Sequence, residues 1–162
     1  MQKETKQRIK TYAIAIAIPL AIGGLSALLT RNSMDIYKEV AMPPLSPPSW
    51  LFPVVWGILY LLMGISSGTV WENREREPES ADKGLSYYAI SLAFNFAWSI
   101  VFFNLRWFLF SFFWLLILLY LIIRTILCYK KISTAAAYLQ IPYAIWVAFA
   151  GYLNFGIWWL NR

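Results

Sequence analysis

Residues 40–71 read VAMPPLSPPSWLFPVVWGILYLLMGISSGTVW, a run without a single charge between Glu39 and Glu72. Its second part settles the fold class. A helix of roughly 20 apolar residues crosses the roughly 30 Å hydrocarbon core of a bilayer. Lipid offers the backbone no hydrogen-bond partner, so Trp50 to Trp71 is predicted to cross as a helix. The first part reads differently, because Ala41 to Pro53 (AMPPLSPPSWLFP) gathers Pro43, Pro44, Pro47, Pro48 and Pro53 into one short segment. Each removes a donor and fixes φ, which predicts that this segment is stiff and extended, within a lid loop of about 30–49 lying over one end of a bundle. Such a loop is either a rigid connector or a lid over a site between the helices, since long ordered loops in small proteins are commonly functional.

Outward from this stretch the pattern repeats. No charge occurs between Lys10 and Arg31, between Lys83 and Arg106, between Arg106 and Arg124, or between Lys131 and Arg162. Each gap is long enough for a helix that crosses a bilayer. Five transmembrane helices follow: Thr11 to Leu29, Trp50 to Trp71, Leu85 to Asn104, Phe108 to Tyr129 and Ala135 to Asn161. The expected fold class is all-α, an integral membrane bundle of five transmembrane helices forming one domain over residues 1–162. The first span has a rival reading as a signal peptide, because Lys3, Lys6, Arg8 and Lys10 precede it. Its apolar run is longer than the core of a usual signal peptide, and no small-residue cleavage site follows.

Composition narrows the chemistry. The 162 residues are 60% hydrophobic, with 14 Lys+Arg against 8 Asp+Glu. There is no His and one Cys, Cys128. A His general base, a Cys/His nucleophilic pair and a thiolate or imidazole zinc site are therefore excluded, and neither a metal nor a resident cofactor is expected. The net charge of +6 is spread along the edges of the spans rather than gathered in a patch, so no nucleic-acid partner is expected. Ten Lys and Arg residues fall on the side holding the N-terminus and four (Arg31, Lys38, Arg106, Arg162) on the other. By the positive-inside rule the N-terminus is cytoplasmic. The setting expected is a multi-pass protein of a bacterial or archaeal cell membrane. Arg124, inside the fourth apolar stretch, is either a functional intramembrane charge or, with Lys130 close by, a side chain snorkelling to the interface.

At 100° per residue, Trp56, Tyr60, Met63 and Ser67 of the second span fall within about 60° of one another, beside a stripe of Gly57, Gly64 and Gly68. Gly64 and Gly68 form a G-x-x-x-G pair that permits close backbone approach. In the fifth span Tyr143, Trp146, Ala150, Leu153 and Ile157 share a face. The third span separates two faces. Ala89, Ala93 and Ala97 form a small-residue ridge, opposite Ser91, Asn95 and Trp98, and Asn95 is costly against lipid, so it should point inward. Aromatic stripes at this spacing are packing or interfacial belts in one reading. In the other, Trp56, Tyr60, Trp98 and Trp146 form a wall of ring faces suited to a flat apolar ligand. The Leu118/Tyr120/Arg124 and Leu127/Tyr129/Lys131 triplets satisfy a sterol pattern too loose to carry weight.

Three blocks give the chain a resemblance to a known family: Pro43 to Gly64 (PPLSPPSWLFPVVWGILYLLMG), Asn95 to Phe103 (NFAWSIVFF) and Pro142 to Asn161 (PYAIWVAFAGYLNFGIWWLN). In order and spacing, across nearly the whole chain, it resembles the translocator protein family, also called tryptophan-rich sensory proteins or peripheral benzodiazepine receptor homologues. The resemblance implies a five-helix bundle, usually a homodimer, that binds porphyrins such as protoporphyrin IX, sterols and benzodiazepine-type drugs, and in some bacterial members degrades protoporphyrin in light and oxygen. By the same resemblance Pro47, Pro48 and Trp50 belong to the lid. Trp56, Tyr60, Asn95, Trp98, Tyr143 and Trp146 belong to the pocket, beside the preceding Pro142. Ala150, the small residue that influences binding, is followed by Leu153. The sequence departs from the family at Ile36 and Leu45, where a Trp is common, and at Ser91, where a Gln is frequent. It also departs at Phe155 and Trp159, which replace the Tyr and Arg of the animal cholesterol motif.

Three functions compete at this level. The first is a membrane receptor or carrier for tetrapyrroles, its pocket lined by the first, second, third and fifth spans. Lacking His, it favours metal-free protoporphyrin over haem. The second is a light- and oxygen-dependent porphyrin-degrading enzyme with Trp56 and Trp146 as the candidate catalytic, redox-active rings. The third is a membrane scaffold or stress regulator without a small-molecule ligand. Membrane lipid is a partner in each, and a homodimer is expected through Ala89, Ala93 and Ala97, the rival being that this ridge packs within the chain and the Gly64/Gly68 pair makes the dimer.

Overall fold

A computed structural model describes residues 2–162. Helix α1 runs Gln2–Thr30 and short α2 Ile36–Glu39. Helix α3 spans Leu51–Glu72, α4 Pro78–Ser99, α5 Phe108–Ile132 and α6 Thr134–Leu160. Five helices, all but α2, are long and apolar enough to cross a membrane, and no strand occurs among the described residues. The protein is an all-α, integral membrane bundle. Around it the helices pack in the order α1, α3, α6, α5, α4, with α1 closing back onto α4 while α3 and α4 barely meet.

The spans fall where the uncharged gaps put them, but the helices overrun the gaps. Helix α1 begins at Gln2 instead of Thr11 and α4 at Pro78 instead of Leu85. A helix need not stop where the bilayer does, and a proline at the first position of α4 gives up only a donor that has no partner there. Over 41–50 the loop is free of helix as expected, but its earlier part folds into a 3₁₀ turn at Arg31–Ser33 and α2. The reason is Ile36. It is fully buried, and a helical turn carries it into the core. Pro53, read as part of the extended run, sits in the first turn of α3, a place proline tolerates.

Two layers of polar groups inside the bundle are paired across helices. Trp98 Nε1 donates to Asn154 Oδ1 (3.1 Å), and Asn154 Nδ2 donates to Phe108 O (2.7 Å) and Ser111 Oγ (2.8 Å), tying α4, α6 and α5 together. Near the other end Ser66 Oγ donates to Ala136 O (2.7 Å), Gln140 Nε2 donates to Ser66 Oγ (3.2 Å), and the Ser67 and Tyr129 hydroxyls are 2.9 Å apart. Gly64 and Gly68 let α3 approach α1. A Cβ on Gly64 would lie 2.5 Å from Ile16 Cα, and one on Gly68 2.8 Å from the Tyr12 ring. Helix α1 is otherwise loosely held, burying only Pro19, Ser26 and Thr30.

Candidate functional site

The seam between α1, α3 and α4 opens into a cavity of about 250 Å³ in the half of the bundle away from the N-terminus. Helix α3 contributes Trp56 and Tyr60 one turn apart, stacked with ring centroids 5.5 Å apart. Trp98 of α4 faces Trp56 at 6.5 Å. Asn95 Nδ2 donates to Tyr60 Oη (3.0 Å) and fixes that ring. Across from them α1 offers Gly23, Ser26, Ala27 and Thr30, so this wall is backbone and small side chains. A clasp closes the top: Tyr37 of α2 stacks on Phe52 of α3 at 5.1 Å and meets Phe103 edge-on at 5.9 Å. Phe103 lies in a π-helical turn, Ile100–Asn104, that follows α4. Such bulges are frequent at functional sites.

Arg31 stands at the rim of the cavity and makes no ion pair among the described residues. The second arginine at this end, Arg106, is 2.7 Å from Glu39 and ties the α4–α5 turn to α2. Beneath the wall Tyr143 of α6 meets Trp56 edge-on at 6.2 Å. Asn95 Oδ1 and Tyr143 Oη are buried without a hydrogen-bond partner. The site therefore combines ring faces, a layer of buried polar groups behind them and a cation at its mouth.

The structure sorts the sequence-predicted residues into three groups. Trp56, Tyr60 and Trp98 line the cavity, with Asn95 and Tyr143 directly behind. Trp146 stands one layer further back, edge-on to Phe52 at 5.8 Å, its indole nitrogen buried and unpartnered. Ala150 and Leu153 are buried deeper along α6. Pro47 is half-buried, Pro48 exposed and Trp50 65% exposed, and none of the three touches the cavity. The loop is fastened to α6 instead. Ala41 N donates to Asn161 Oδ1 (2.9 Å), Asn161 Nδ2 donates to Ala41 O (3.0 Å), and Tyr152 Oη donates to Pro44 O (2.6 Å). Pro43 packs on Gly156, where a Cβ would lie 2.6 Å away. Ala89 and Ala93 are exposed and Ala97 half-buried, away from this aromatic cavity. Arg124 faces outward onto Tyr87 and Tyr120. The sequence alone did not place Gly23, Ser26, Tyr37, Phe52 or Arg31 at the site. The one signal available was the Gly23/Gly24 pair in an otherwise bulky span.

The model of the TspO/MBR family matches residues 15–160. Among similar proteins, the tryptophan-rich protein TspO of Chlorobaculum tepidum is 35% identical, the alignment covering 96% of this chain and 98% of that one. The protein CrtK of Rhodobacter capsulatus is 36% identical over 93% of this chain and 92% of its own. The translocator protein of Bos taurus is 34% identical, covering 93% of this chain and 90% of the bovine one.

Proposed function

We propose, from the premise that this chain belongs to the TspO/MBR family, that it is a membrane receptor or carrier for metal-free tetrapyrroles of the protoporphyrin kind. The observation that carries the reading is the wall of Trp56, Tyr60 and Trp98 with an unpaired Arg31 at its rim. A flat apolar macrocycle offers faces for offset stacking, worth roughly 0.5 to 1.5 kcal/mol per ring pair beyond area burial. The acidic substituents of such a ligand would meet the guanidinium, which suits carboxylates by its forked donors. The cavity of about 250 Å³ is smaller than the roughly 300 to 1,000 Å³ of sites for drug-sized ligands. Binding therefore requires α1 or the α2 clasp to move outward, which the sparse burial of α1 favours. The positive-inside count supports a cytoplasmic N-terminus, so the cavity would lie towards the outer side.

Titration of the purified protein in detergent with protoporphyrin IX tests this. Tryptophan fluorescence should quench saturably, and Trp56→Leu should weaken binding about two- to tenfold, the worth of one ring pair. Linear quenching, or an unchanged curve in a Trp56→Leu, Trp98→Leu double variant, rejects the reading. Illumination of the same samples in oxygen examines the enzymatic alternative, for which Trp56 is the better placed of the two candidate rings because Trp146 lies behind Phe52. No binding in any condition would favour a scaffold.

A further inference from the structure

The seam between α1, α3 and α4 opens a second time, in the half of the bundle nearer the N-terminus, into a cavity of about 460 Å³. Its walls differ in kind from those of the aromatic cavity. Ile14 and Ile18 of α1 face Leu85 and Leu92 of α4, and the rings, Trp71 and Tyr88, stand to the side. Ile14 and Ile18 are 51% and 48% exposed although they line the slot, so the slot is open along its side. Lys10 and Gln7 stand at its N-terminal mouth. Lys10 makes no ion pair among the described residues, while the nearby acid, Glu72, lies 3.8 Å from Arg8. Tyr88 is only 7% exposed and, with Ser67, closes the slot toward the bundle interior.

We propose that this cavity is a second ligand site that takes one acyl chain of an anionic lipid from the leaflet facing the N-terminus, with the head group beside Lys10. An aliphatic slot suits a flexible chain, whereas a macrocycle needs ring faces on which to stack. From Gln7 to Ile18 the slot follows α1 for about 16 Å at 1.5 Å per residue, the proportion of a chain and not of a disc. A chain in a bilayer is already out of water, so burial alone cannot select it. Selection comes from the head group, where one basic residue near an anionic surface is worth about 1 kcal/mol, or fivefold.

Native mass spectrometry of the full chain in neutral detergent tests this, with palmitoyl lysophosphatidylglycerol and its zwitterionic lysophosphatidylcholine counterpart as probes. The expected result is a one-to-one adduct that favours the anionic probe. Lys10→Gln should lower anionic retention about fivefold and leave the zwitterionic one unchanged. Leu92→Trp and, from the facing helix, Ile14→Trp should each fill the slot and remove the adduct, with wild-type elution on sizing as the check that they fold. Equal retention of the two probes by the wild type, or an adduct surviving both filled variants, overturns the site. So does displacement of the lysolipid by protoporphyrin IX, which would merge the two cavities into one. If protoporphyrin fails to bind at all, the lysolipid result stands by itself.

Discussion

Gly23 and Gly24 are neighbours in α1 with opposite surroundings. A Cβ on Gly23 would lie 2.1 Å from the Tyr60 ring, whereas one on Gly24 would meet nothing within 4 Å. Gly23→Ala must push Tyr60 off the Asn95 amide and into the cavity. Overpacking of this kind typically costs about 1 to 3 kcal/mol, so a lower Tm and weaker protoporphyrin binding are expected together. Gly24→Ala, measured by the same thermal melt and titration, should be neutral in both. Asn154 is the other residue on which much depends, since it accepts from Trp98 and donates to α5 twice. Asn154→Leu leaves the Trp98 indole N–H without a partner in an apolar interior, at roughly 1 to 3 kcal/mol, while the Phe108 carbonyl keeps Ser111 Oγ as a donor (3.0 Å). Thermal unfolding in detergent should report a loss of about 1 to 3 kcal/mol, and a change near zero would mean that the indole N–H finds another partner.

At the scale of the elements, the five spans were legible because a charge is costly inside a bilayer, so the gaps between charges trace the membrane. What the gaps cannot mark is helix outside the membrane, which is why the polar first turns of α1 and α4 went unseen. Residues of the pocket were legible where two spans carry large rings or amides at helical spacing, as with Trp56, Tyr60, Asn95 and Trp98. Trp146 shows where that reading stops. It shares a face with Tyr143, but α6 packs against both α3 and α5, and one residue of the stripe reaches the wall while the next turns to Phe52. The loop was expected to act through Pro47 and Pro48. Its fastenings, however, are Ala41 to Asn161 and Pro44 to Tyr152. Hence an Asn161→Ala, Tyr152→Phe double variant should speed protoporphyrin dissociation in stopped flow more than Pro47→Gly with Pro48→Gly, which only widens what the open loop samples. Equal rates in both variants and the wild type would make the loop a connector.

For the whole molecule the open question is what covers the outer face of α4. In lipid no hydrophobic drive holds helices together, so association needs small residues that admit a neighbouring backbone. α1 carries one in exposed Ala13, Ala17 and Ala21, and α3 and α4 carry one each. The Gly64/Gly68 pair is already used within the chain, with Ile16 and Tyr12 of α1 seated on it. The ridge of Ala89, Ala93 and Ala97 is not: Ala89 and Ala93 are exposed and Ala97 is half-buried, while Ser91, Asn95 and Trp98 on the opposite face are buried. Ala89 also borders the aliphatic cavity, which makes Ala93, at the centre of the ridge, the cleaner probe. A second copy meeting this ridge would leave the aromatic cavity untouched, because the two faces of α4 are separate. Ala93→Leu puts a branched side chain into space that is open in the single chain, so the fold itself should be unaffected. The expected outcome is a dimer by sizing with light scattering for the wild type, a monomer for Ala93→Leu, and the same protoporphyrin binding curve for both. An undisturbed dimer would move the interface off α4, and a variant that no longer binds protoporphyrin would mean that the ridge supports the cavity from behind.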